Sequence, residues 1–175
     1  TQYELFNKVA TVDGTEVELE LWDTSGDIAL HQLQMLSYLA WDAVYLCFSL
    51  DSAQRFANAQ NKWMTEIRKY CRDAPVILLG LKKDTRFGAG MRAPMNPQKL
   101  QTYICAAQGS VAATTMRAMK YMECSAMNGD NVNRVFDEGV RMVLYDRAEQ
   151  EELARLRKKY ENRELHPFGR FMCFN

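Results

Sequence analysis

Hydrophobic and polar positions change period several times along the chain. Residues 3–12 and 15–22 flank Asp13-Gly14, a dipeptide that favours the two-residue turn of a β-hairpin. In the second arm Val17, Leu19 and Leu21 alternate with Glu16, Glu18 and Glu20, the period-two pattern of a strand with one face in and one face out. "WDTSGD" (22–27) ends that arm in a glycine-containing loop. "AVYLCFSL" (43–50) is almost wholly apolar, as suits a parallel strand covered on both faces. Asp51-Ser52 then reads as a helix start, with Phe56, Trp63, Ile67 and Tyr70 at helical spacing. Pro75 leads into a second buried strand, 76–80, which opens into Gly80-Leu81-Lys82-Lys83-Asp84.

Residues 28–40 read as short helix or loop. Glycine and proline breaks mark 86–101 as an inserted surface segment. An Ala-rich helix is expected over 102–116, and a short strand and loop over 118–126. Asp130 is placed to cap a long last helix, whose core stripe would be Val132, Val135, Phe136, Val140 and Val143. Beyond Tyr145 that helix turns mostly charged up to about residue 164, with Leu153, Leu156 and Tyr160 as its apolar line. A solvated extension is the leading reading of it, and a docking helix the alternative. The order of elements implies an α/β fold, a mostly parallel sheet with helices on both faces and one antiparallel edge from the hairpin. The loops 22–27, 80–85 and 123–127 would then share the carboxyl end of the sheet, where such folds bind ligands.

Composition narrows the class. A chain of 175 residues, 47% hydrophobic and 25% charged, suits one soluble domain with a single core. Its 22 basic and 22 acidic residues leave no broad positive footprint, so nucleic acid is not an expected partner. Five cysteines without CxxC spacing argue against a disulfide scaffold or a zinc site and for a reducing, cytoplasmic setting. Cys47 and Cys124 are expected to be buried and unreactive, and His31 and His166 to lie on the surface. Trp22 and Trp63 are expected in the core or at an interface.

"WDTSGD…LSYLAWDAVYLCFSLDS", "PVILLGLKKDTR" and "YMECSA", in that order and with an insert between the last two, resemble the Rho family of small GTPases. The resemblance runs from Thr1 to about Leu144. It implies the P-loop NTPase-like fold of small GTPases over 1–145, with 146–175 as a charged helical extension and tail. It also implies GTP or GDP and Mg²⁺ as ligands, and protein effectors and regulators as partners. Asp23 and Gly26 match the DxxG motif, whose carboxylate serves the Mg²⁺ shell and whose glycine amide senses the γ-phosphate. Lys82 and Asp84 match the guanine motif, with the lysine stem over the base and the aspartate accepting from it. Ser125 and Ala126 match the loop that meets the guanine carbonyl. Thr1 aligns with the threonine that coordinates Mg²⁺, and Tyr3 and Glu4 with the effector strand.

The departures from the family pattern point the other way. None of the nine glycines is followed by lysine, so GxxxxGK[ST] has no match in these residues. The family's first strand, central in its sheet, has no counterpart either, which should leave backbone groups unpaired. Asp27 stands where the family has the glutamine that orients the attacking water. Leu81 replaces the asparagine of the guanine motif, and Met127 the lysine after Ser125-Ala126. Ser25, Asp27 and Leu81 follow the pattern of the Rnd subfamily, which holds GTP without hydrolysing it. The tail "FMCFN" does not match the prenylation signal. The sequence therefore leads to a Rho-type homologue that binds GTP but is not expected to hydrolyse it. A nucleotide-free pseudo-GTPase acting as a protein scaffold is the alternative, and a competent GTPase using another residue is the weakest reading.

Overall fold

A computed structural model describes residues 3–24, 40–86 and 103–161. Strands β1 (Tyr3–Val12) and β2 (Thr15–Thr24) form an antiparallel hairpin in which Val12 pairs with Thr15. Asp13 and Gly14 both take positive φ, 52° and 81°, the geometry of the turn whose twist matches the strands. β3 (Val44–Ser49), β4 (Val76–Leu81) and β5 (Lys120–Glu123) form a parallel sheet in the order β3-β4-β5. Parallel neighbours need helical crossovers, and the chain provides them. The first is α1 (Ala53–Asn58), a π-helical turn (Ala59–Trp63) and α2 (Met64–Tyr70); the second is α3 (Ala106–Thr115). Ser52 caps α1 by accepting from the Arg55 amide at 3.3 Å.

β4 is central, and Val76, Ile77 and Leu78 are fully buried. Its alternating side chains divide the core. Val76 and Leu78 pack with Leu46, Phe48 and Met64 on the crossover-helix side. Ile77 and Leu79 pack with Met122, Cys124 and Val135 under the last helix, α4 (Val132–Glu161). In α4 the expected stripe holds: Val135 and Val140 are buried, and Val132, Phe136 and Val143 are half-buried. Gly139 is required there, because a Cβ would lie 1.8 Å from the Tyr45 hydroxyl.

Some expectations need correction. The sheet is in two pieces: β2 and β3 share no ladder. A cleft of about 410 Å³ lies between them, lined by Leu19, Leu21, Trp22, Tyr45, Phe136 and Val140 among others. Trp22 meets Trp41 edge-on in its lining, with ring centroids 6.0 Å apart. Cys47 is exposed and not buried, since β3 is the edge of its sheet among the described residues. Asp130 does not cap α4; its carboxylate goes to Lys83 at 2.8 Å, and the Asn131 carbonyl accepts the first helical hydrogen bond, from Val135. The insert, His31, His166 and the tail lie outside the described residues.

A candidate nucleotide site at the carboxyl end of the sheet

β4 ends where the candidate site begins. Gly80 has no room for a side chain, since a Cβ would sit 2.7 Å from Leu50. The Leu81 carbonyl accepts from the Leu50 amide at 3.0 Å, so the strand is held at its last residue. Lys82 then takes a positive φ of 60°, which breaks the strand and turns the chain into a short 3₁₀ helix, Lys83–Arg86. The Thr85 amide and hydroxyl both bond the Lys82 carbonyl and close that turn.

The second loop is pinned to the first. The Lys83 amide donates to the Cys124 carbonyl at 3.0 Å, and the Cys124 amide donates to the Gly80 carbonyl at 2.9 Å. Ser125 is fully buried, its hydroxyl donates to the Asp84 carboxylate, and its amide donates to the Asp130 carbonyl. Ala126 is exposed beside it. Thus Lys82, Asp84, Ser125 and Ala126, predicted from two distant stretches, come together in one place. Lys82 is exposed with its ammonium 4.0 Å from Asp51, whose carboxylate also accepts from Ser49.

Sequence reading missed the bracket behind these loops. Arg86 makes a two-pronged bond to the Glu123 carboxylate, at 2.7 and 2.8 Å, and reaches the Ile104 carbonyl at 2.6 Å. The Tyr121 hydroxyl donates to the same carboxylate at 2.6 Å, and the Asn131 side chain donates to the Glu123 carbonyl. Burial alone would raise the pKa of Glu123, but hydrogen bonds from Arg86 and Tyr121 hold it below its ordinary value. Burial and the bond to Glu123 push the Tyr121 hydroxyl far above the usual range. The available signal was an opposite-charge pair flanking the two motifs: Arg86 just after KKDT and Glu123 just before CSA.

The other predicted residues are not joined to this cluster by any described contact. Asp23 is exposed near the end of β2, directly across from Glu4 on β1. Tyr3 begins β1 opposite Thr24. Thr1, Gly26, Ser25 and Asp27 lie outside the described residues. Among the described residues no group of three or more histidine, cysteine or acidic side chains is placed to hold a metal. Asp23 offers the single hard oxygen donor that a largely hydrated Mg²⁺ accepts. The donor set thus fits a guanine base in part, through Asp84 and Ala126, and Mg²⁺ through one carboxylate.

This arrangement defines a P-loop NTPase-like domain with its candidate site at the carboxyl end of a parallel sheet. The Ras family model matches residues 1–145, and the chain belongs to that family. It is a Rho-type homologue: it is 35% identical over 147 residues to the human Rho-related GTP-binding protein RhoB, covering 84% of this chain and 74% of that protein. Proteins of this family bind GTP or GDP with Mg²⁺ and act through protein effectors and regulators.

Proposed function

We propose that this chain serves cytoplasmic Rho-type signalling by holding GTP and presenting a surface to protein effectors, with hydrolysis lost. One observation carries the reading. Leu81, at the asparagine position of the guanine motif, packs against the core cluster of Ile77, Leu79, Met122, Cys124 and Val135. A side chain committed to the core offers nothing to a base or to a phosphate loop. Asp84 meanwhile keeps its place through Ser125. Recognition is therefore reduced and not erased, and Asp27 supplies a carboxylate where catalysis needs an amide to orient water.

In this reading Asp84 and the Ala126 amide contact the base, the Lys82 stem covers it, Gly26 meets the terminal phosphate, and Thr1 and Asp23 serve Mg²⁺. Tyr3 and Glu4 lie on the strand offered to effectors. The second reading, a scaffold without nucleotide, is favoured by Leu81 and Met127, which stand where the family's two base loops have an asparagine and a lysine.

Thermal unfolding with Mg²⁺-GTP, followed by a phosphate-release assay, separates them. A site filled at about 100 times its Kd stabilises the fold by about 2.7 kcal/mol. Such a shift without phosphate release supports the switch. No shift leaves the scaffold, and release of phosphate overturns both. Leu81→Asn should raise selectivity for guanine over adenine nucleotides; an unchanged preference would mean the loop is not in use.

A further inference from the structure

The last helix has two halves of different character. Up to Leu144 it packs on the domain, and from Tyr145 to Lys159 every residue is exposed. A helix of 30 residues is about 45 Å long, so its second half is a rod projecting from the body. A helix end with no packed face is weakly held. This one nevertheless carries Leu153 and Leu156 on one face, 49% and 39% exposed.

The charges on the rod are segregated. Residues 146–152 hold Asp146, Glu149, Glu151 and Glu152 against a single Arg147, and 155–159 hold Arg155, Arg157, Lys158 and Lys159 with no carboxylate. Among these, the Glu151–Arg155 contact is a loose 3.9 Å, and Arg147 turns back to Asp42 on the body at 2.6 Å. An acidic half followed by a basic half complements itself when reversed.

We propose that this rod is a self-association surface whose partner is a second copy of this chain, with the two helices antiparallel. A two-fold axis between Ala154 and Arg155 sets Leu153 against Leu156 of the second copy. The acidic half of each helix then lies along the basic half of the other, with Glu152 beside the stripe and within reach of Lys159 of the second copy. A parallel pair would set Asp146 and Glu149 beside their own counterparts, and like charges would repel. The interface is small, so the dimer belongs to the weak class that forms at high local concentration. Two domains held this way would engage a multivalent partner with a gain in avidity.

Sedimentation equilibrium up to about 1 mM chain tests the idea. The expected result is a reversible dimer that weakens as salt rises to about 0.5 M. Glu151→Lys with Glu152→Lys makes the rod mostly basic, and Arg157→Glu with Lys158→Glu makes it mostly acidic. Each variant alone should be monomeric, and an equimolar mixture should associate about tenfold or more tightly than either. Recovery in the mixture also shows that neither variant has lost its helix. A photoreactive phenylalanine analogue at position 149 should cross-link near residue 160 of the second copy. The proposal is overturned by a wild-type monomer at every concentration, by a dimer that survives both reversals, by a mixture that stays monomeric, or by cross-links near residue 149.

Discussion

The three-stranded sheet and the hairpin are built from comparable amounts of apolar sequence and end up held in different ways. Val76, Ile77 and Leu78 of β4 are fully buried between two layers of helix. The hairpin leaves Leu5, Phe6 and Val9 exposed, and its edge strand β2 faces a cleft. Its tip is tied to the body by Arg141, which bonds the Asp13 carboxylate at 2.6 and 2.7 Å. Burial holds the sheet, whereas the hairpin is held by local pairing, a surface ion pair and the burial of Val12 at its tip. The loops 80–86 and 123–126 belong to the first region, and Asp23 and β1, with Tyr3 and Glu4, to the second. The two ends of the candidate site therefore rest on supports of unequal strength.

The largest test of that contrast is in the core. Ile77→Ala should cost about 2–5 kcal/mol in denaturant unfolding, while Val9→Ala on the hairpin should stay within about 0.5 kcal/mol. Equal losses would show that the hairpin is packed as the sheet is. Next comes the bracket behind the loops. Arg86→Ala leaves the Glu123 carboxylate with its Tyr121 bond but no ion-pair partner in contact, and should cost about 2–3 kcal/mol. The same change should release the loop 82–86 in hydrogen exchange, since the 3₁₀ helix loses its anchor on β5.

Glu123 also gives the sheet an acid-sensitive element. Its folded pKa lies below the ordinary value of 4.5. The stabilisation is therefore present above about pH 4.5 and is lost as pH falls through the folded value. Glu123→Gln should flatten the stability profile in that acid window and leave the hairpin's exchange rates unchanged. A profile that keeps its acid slope would place the responsible carboxylate elsewhere.

These supports were unevenly legible in the sequence. β4 could be read because four consecutive apolar residues before a glycine admit few other structures, and the hairpin because Asp13-Gly14 fixes a turn type. The shared location of Lys82, Asp84 and Ser125 followed from the order of strands and from the family resemblance, whereas the Lys82–Asp51 and Ser125–Asp84 contacts did not. Arg86–Glu123 and Lys83–Asp130 could not be read locally, because a charge 37 or 47 positions away leaves no periodic trace. The same limit explains Asp130: a good capping residue was drawn off by a lysine on another loop. Cys47 was misjudged because an apolar run does not reveal that its strand lies at a sheet edge.

The smallest expected effect is the most specific to the hairpin. Arg141 lies on α4, and its hydrogen bonds hold the Asp13 carboxyl below its usual range and raise its own pKa. The pair is exposed, so salt and water screen it and its loss should barely move global unfolding. Its consequence is local. Arg141→Ala removes the side-chain tie between the hairpin turn and α4 and leaves Glu138 with Lys120 as its partner. Amides of β1 and β2 should then exchange faster while those of β3, β4 and β5 keep their rates. The same acceleration should appear in wild type as salt rises, or as pH falls through the depressed pKa of Asp13. If all five strands speed up together, the hairpin and the sheet open as one unit, and the contrast between two differently held regions fails.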